Sequence, residues 1–145
     1  MDDKIKLIAV IVSMLVILYF MCGCNVKNGK SRGSSPENYV DLQAKESYEL
    51  IKQHEGNKGF VILDVRTPKE YTRGHIAHAV NANYTSREFK DMLAPLDKSK
   101  TYLVHCRSGN RSLGALKIMH EMGFENVYHM RGGISAWVRA GYPVE

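Results

Sequence analysis

The chain has 145 residues, which holds one compact domain of roughly 100–200 residues with a short appendage and excludes a second catalytic domain. At 44% hydrophobic and 24% charged, it has the composition of a globular protein, so collagen-like, disordered and disulfide-scaffold classes are excluded. The net charge of +5 sits mostly at the amino end: residues 1–36 hold five Lys/Arg against two Asp, which leaves 15 basic and 13 acidic residues in 37–145. Without a clustered basic stripe in the domain, no nucleic-acid partner is expected.

Residues 7–22, LIAVIVSMLVILYFMC, form an uncharged run of sixteen preceded by Lys4 and Lys6. The run is slightly short for a spanning helix of about 20 residues and slightly long for a signal-peptide core of about 7–15. Met21-Cys22-Gly23-Cys24 resembles a bacterial lipoprotein cleavage box, which implies lipidation of Cys24. Residues 1–24 are therefore expected to be a signal/lipoprotein or membrane-anchor segment, with a membrane-associated, extracytoplasmic protein as the result. For an uncleaved anchor the orientation stays open, since Lys27, Lys30 and Arg32 balance Lys4 and Lys6. Residues 25–37, rich in Gly, Ser, Asn and Lys, read as a flexible linker, and 38–145 as the domain.

Within the domain, Val40–Leu42 is a short strand candidate, and Tyr48, Leu50 and Ile51 fit a helix from about Ala44 to His54. FVILDV at 60–65 predicts a strand buried on both faces, the mark of a parallel sheet covered by helices. Thr67 and Pro68 read as a helix cap and first helical residue, with Gly74 as the stop. TYLVH at 101–105 predicts a second buried strand, and Ala115, Ile118, Met119 and Met122 predict a helix from about Arg111 that Gly123 ends. Residues 126–129 read as another strand, Gly132-Gly133 as a turn, and Ile134 to Ala140 as a last helix, with Ile134, Trp137 and Val138 in the core. Strands alternating with helices indicate an α/β fold with a mainly parallel central sheet flanked by helices on both faces.

Cys22 and Cys24 lie in the apolar segment, so Cys106 is the lone cysteine of the domain and no intradomain disulfide forms. It opens the loop Cys106-Arg107-Ser108-Gly109-Asn110-Arg111, between a predicted parallel strand and a predicted helix. Such loops lie at the carboxyl edge of the sheet, where α/β folds bind ligands. Their N–H groups converge with the helix amino terminus into an anion cradle. Gly109 lets the backbone curl, Ser108 and Asn110 add donors, and Arg107 and Arg111 add positive charge. The helix dipole and a nearby guanidinium predict a thiol pKa below the ordinary value. The alternative, a buried inert cysteine at a strand end, does not account for two arginines within the loop.

CRSGNR at 106–111 resembles the active-site loop of single-domain rhodaneses. LDVRTPKEYTRGHIAHAVNANY at 63–84 is similar to the family's first signature, and GFENVYHMRGGISAWVRAGYPVE at 123–145 to its C-terminal one. One departure is His78, where many relatives have Gly. The resemblance covers about 38–145 and implies the rhodanese fold and a sulfurtransferase, in which Cys106 carries a sulfane sulfur as a persulfide from thiosulfate or a similar donor to a thiophilic acceptor. It further implies that Arg107 faces the incoming anion and Arg111 supports the cradle.

Asp64 and Arg66 read as a buried pair that braces the loop. His75 and His78 do not make a metal site, which needs four convergent ligands or three plus water, and neither a metal nor a cofactor is expected. Expected partners are the small-molecule donor and an acceptor such as cyanide, a thiol or a partner protein, acting on a monomer. Two alternatives are a non-catalytic rhodanese-like binding module, which usually lacks the cysteine, and a phosphatase or arsenate reductase relative, whose loop is one residue longer.

Overall fold

Strands buried on both faces and helices with one apolar side assemble into a three-layer arrangement in the computed structural model, which describes residues 39–145. The apolar segment, Cys24 and the linker lie outside the described residues. Strands β1 (Tyr39–Leu42), β2 (Phe60–Asp64), β3 (Val80–Asn81), β4 (Thr101–His105) and β5 (Asn126–Met130) form one sheet in the order β1-β5-β4-β2-β3. Every pairing is parallel. The helices are α1 (Ala44–Gln53), α2 (Pro68–Tyr71), α3 (Phe89–Leu93), α4 (Asn110–Glu121) and α5 (Gly133–Arg139).

Successive strand residues point to opposite faces, and the core divides accordingly. Leu63, Tyr102, Val104 and Val127 pack with Phe89 and Leu93 of α3 and with Ala115, Leu116 and Met119 of α4. Ile62, Leu103 and Met130 pack on the other face with Ile134 and Trp137 of α5, against which Tyr48 and Ile51 of α1 lie. Among the described residues no helix is long and apolar enough to cross a membrane.

Two sequence expectations are corrected. Val138 is 54% exposed, because the short α5 turns it away from the face that buries Ile134 and Trp137. Gly132 and Gly133 are not a free turn: Gly132 caps α5 and Gly133 is its first residue. Helix α4 begins at Asn110, in agreement with the expected start at about Arg111, with Gly109 at its cap in the left-handed region (φ +108°). His78 has φ +61°, a conformation glycine adopts without strain. That accounts physically for the residue many relatives carry there.

Candidate active site

The site is built at the carboxyl ends of β2 and β4, which pair in register so that Asp64 lies beside His105. Cys106 follows β4 directly and is 1% exposed. The chain then curls through residues 107–109 into α4, so the first-turn N–H groups of that helix, which have no intrahelical acceptor, face the thiol. Gly109 donates its N–H to Cys106 Sγ at 3.1 Å, and the hydroxyl of Ser112 lies 3.5 Å from the same sulfur. Burial pushes the thiol pKa up. The Ser112 hydroxyl and the N–H groups of Ser112, Gly109 and Ser108 outweigh it and hold the thiol below its ordinary value.

The direction matches the expectation, but the cause differs in part. Arg111 does not reach into the cradle as a free cation: its two terminal nitrogens donate to the two carboxylate oxygens of Glu70, each at 2.7 Å. Glu70 is also the third residue of α2 in a capping box, accepting from the Thr67 N–H at 3.1 Å and the Thr67 hydroxyl at 2.9 Å. The Arg111 bond, opposed by partial burial and joined by the Thr67 donors, lowers the Glu70 pKa from 4.5 to about 2.

Asp64 and Arg66 form the expected buried pair. Arg66 Nε lies 2.8 Å and one terminal nitrogen 2.6 Å from Asp64 Oδ2. The remaining guanidinium donors reach the carbonyls of Glu70 at 3.2 Å and Gly74 at 2.8 Å. The pair therefore fixes the 70–74 turn, which presents Glu70 to Arg111. Asn81 on β3 closes the arrangement by donating to the carbonyls of Asp64 and Arg66, both at 2.9 Å.

The outer wall comes from α5. Ile134 N–H donates to the Cys106 carbonyl at 2.9 Å and Ser135 N–H to the Arg107 carbonyl at 3.0 Å. This approach requires glycine at 133: a Cβ there would lie 2.3 Å from the Cys106 carbonyl oxygen.

Arg107 is exposed and makes no ion pair among the described residues. With Arg66, Arg73, Glu70, Ile134 and Ser135 it lines a cleft of about 560 Å³. The side chains of Ser108 and Asn110 are exposed, and Ser108 serves the sulfur through its backbone. A second hollow of about 530 Å³, lined by Tyr48, Ile51, Phe60, Ile76 and Trp137 among others, includes no residue of the cysteine loop. His75 stacks on Tyr71 at 3.9 Å and its Nε2 lies 3.5 Å from Glu145 Oε1, a packing and anchoring role.

Sequence reasoning did not single out Ser112 or the clamp by Glu70. The pairing of a capping-box glutamate with a loop arginine 41 positions away has no local signature.

A parallel sheet with a cysteine loop at its carboxyl edge defines an α/β protein whose loop turns backbone donors toward a buried thiol. The model of the rhodanese-like domain matches residues 44–140, and the chain belongs to the rhodanese family. It is 28% identical over 109 residues to the thiosulfate sulfurtransferase GlpE of Actinobacillus pleuropneumoniae, covering 75% of this chain and 95% of that protein. It is 35% identical over 97 residues to thiosulfate sulfurtransferase 16, chloroplastic, of Arabidopsis thaliana, covering 60% of this chain and 81% of that one. Among solved structures, a rhodanese-related protein from Thermoplasma volcanium matches with a TM-score of 0.63 at 34% identity, over 74% of this chain and 98% of the other.

Proposed function

We propose that this protein is a thiosulfate-using sulfurtransferase with Cys106 as its sulfur carrier. The Cys106 thiolate attacks the outer sulfur of thiosulfate, the bond between the two thiosulfate sulfurs breaks, and sulfite leaves with the electron pair. The terminal sulfur of the resulting persulfide carries the negative charge. A thiophilic acceptor such as cyanide then attacks that sulfur, forms thiocyanate and returns the thiolate.

The carrying observation is the set of donors on Cys106 Sγ, with Gly109 N–H at 3.1 Å and the Ser112 hydroxyl at 3.5 Å. Donors placed in advance around a developing anion lower the barrier without reorganisation. No proton transfer is needed in either step, which suits a cradle of donors. The 1% exposure of Cys106 favours a small donor over a bulky one, and Arg107 and Arg73 give the cleft a charge suited to an anion. The intact cysteine argues against the non-catalytic module, and the span of four residues between Cys106 and Arg111 against a phosphatase relative.

Mass spectrometry after thiosulfate treatment tests the reading. One added sulfur on Cys106, absent in Cys106→Ser, is expected. A Ser variant that transfers sulfur to cyanide within tenfold of wild type overturns it. We also propose that residues 1–23 are removed and that a lipid on Cys24, the new amino terminus, holds the enzyme at a membrane. Intact-mass analysis of native protein should find a diacylated chain beginning at Cys24, and a full unmodified chain would remove that reading.

A further inference from the structure

The hollow of about 530 Å³ lies on the face of the sheet that packs against α1 and α5, and it opens at the amino end of β2, the opposite edge of the sheet from Cys106. Its walls are apolar: Phe60 and Ile62 of β2, Ile51 of α1, Ile76 of the loop before β3, and the rings of Tyr48 and Trp137. These walls are held by contacts of their own. Tyr48 stacks on Tyr142 at 4.4 Å, and the Trp137 indole N–H donates to the Pro143 carbonyl at 2.8 Å. The His54 ring stacks on Phe60 at 4.7 Å while its Nδ1 donates to the Leu50 carbonyl at 3.0 Å. A hollow of this size with aromatic walls and few polar groups suits a small molecule, and walls fixed in advance lose little affinity to ordering when it binds.

The rim gives the occupant a charge. Lys52, His54, Glu55, Lys58 and His78 border the opening. The one carboxylate among them, Glu55, lies 3.4 Å from the Lys52 ammonium, so these two charges offset each other. Lys58 is exposed and makes no ion pair among the described residues. An organic anion therefore meets an unopposed ammonium beside two imidazoles, whereas an organic cation finds only a carboxylate that is already engaged. His78 is a second, independent sign of a built rim. It is the one non-glycine residue with positive φ among the described residues, at +61°, and its N–H donates to Glu145 Oε1 at 3.4 Å. Backbone strain of this kind persists where the surroundings over-determine it, and it clusters at sites that hold ligands.

We propose that this hollow binds a small organic anion with a flat aromatic body, an aromatic carboxylate in chemical class, at a site separate from the cysteine cleft. The ring lies among Tyr48, Phe60 and Trp137, and the carboxylate stays at the rim beside Lys58 and His78. Binding there goes beyond sulfur transfer and does not depend on it, since no residue of the cysteine loop lines the hollow. The site nevertheless shares two elements with the cradle. Trp137 lies three residues beyond Ile134 on α5, whose N–H holds the Cys106 carbonyl, and Ile62 lies two residues before Asp64 on β2.

The test is a titration of the full chain with 2-naphthoate, read in NMR spectra from carbon-labelled isoleucine δ1 methyl groups. Ile51, Ile62 and Ile76 line the hollow and Ile134 lines the cysteine cleft, so the two places report separately. Saturable shifts at Ile51, Ile62 and Ile76 are expected, with Ile134 little changed. 2-Naphthamide, of the same shape without the charge, should bind about twofold to fivefold more weakly, the range of one exposed ion pair. Lys58→Gln, at an exposed turn position, should weaken naphthoate to that level and leave the affinity for the amide unchanged. Glu55→Gln, which frees Lys52, should tighten naphthoate. His78→Gly suits the left-handed backbone, so it should fold at least as stably as wild type and lose affinity with the imidazole. Shifts confined to Ile134, shifts that do not saturate, or equal affinities for naphthoate and the amide in both wild type and Lys58→Gln overturn the site.

Discussion

Arg111 and Glu70 face each other fork to fork, with both guanidinium nitrogens 2.7 Å from the two carboxylate oxygens. Bidentate geometry fixes direction as well as distance, so the pair ties α4, and with it the donors on Cys106, to the turn after β2. The arginine expected from the family resemblance to support the cradle is held as a strut between α4 and Glu70. Glu70→Gln is expected to reduce stability at neutral pH by about 1 kcal/mol, the scale of a partly solvated pair with good geometry, and to lower kcat through a looser cradle. Because the folded pKa of Glu70 is about 2, below its ordinary 4.5, the pair's contribution is full above the ordinary value and fades as pH falls through the folded one. Denaturant melts should show the gap between wild type and Glu70→Gln closing on acidification.

Arg107 differs from Arg111 in its contacts, and separate roles are expected from that difference. It is exposed, pairs with no carboxylate among the described residues and borders the cleft beside the cradle. Arg107→Ala should raise the KM for thiosulfate severalfold with little change in kcat or melting temperature, while Arg111→Ala lowers kcat and stability together. Steady-state constants beside thermal melts separate the two. Indistinguishable defects would show that the strut and the anion contact are not separate.

Much of this fold is legible in the sequence. The apolar runs of β2 and β4 announce strands buried on both faces, and Thr67-Pro68 announces the cap of α2 because capping is local chemistry. Strand β3 has only two residues and α3 only five, too few for any periodicity, and both are held by tertiary contacts. Val80 pairs with Leu63, and Phe89 and Leu93 fill the core. The place of Cys106 between a buried strand and a helix is readable in the sequence. The clamp by Glu70 and the hydroxyl of Ser112 are not, since each depends on how elements distant in sequence are brought together.

His105 gives the fold a pH dependence of its own. It is fully buried, its Nε2 has no hydrogen-bond partner, and Asp64 Oδ2 lies 3.9 Å away. Burial lowers its pKa from 6.5, against the opposing pull of Asp64. A histidine that binds protons more weakly when folded contributes stability that is full above the unfolded value and is lost as pH falls below it. Wild type should therefore lose stability below about pH 6.5, with a limiting slope of about 1.4 kcal/mol per pH unit for one proton. In His105→Phe this slope should be absent from chemical melts at pH 5 to 7. A variant that retains it would assign the proton to another group.

Gly133 ties the second signature to the cysteine loop by close approach. Its φ of +55° already disfavours a side chain, and a Cβ would meet the Cys106 carbonyl oxygen at 2.3 Å and the Arg107 carbonyl carbon and oxygen at 2.7 Å. Those are backbone atoms, so nothing flexible gives way. Gly123 supplies the control: its φ is +85°, yet nothing lies within 4 Å of a Cβ built there. Gly123→Ala should cost about 1–2 kcal/mol, the left-handed penalty alone, and leave alkylation of Cys106 unchanged. Gly133→Ala should cost about 3 kcal/mol or more, because α5 must move off the loop. It should also slow alkylation, since the Ile134 and Ser135 N–H bonds that hold the Cys106 and Arg107 carbonyls are lost with it. Equal stabilities for the two alanine variants would show that the loop yields to α5, and that the cradle is not set by this contact.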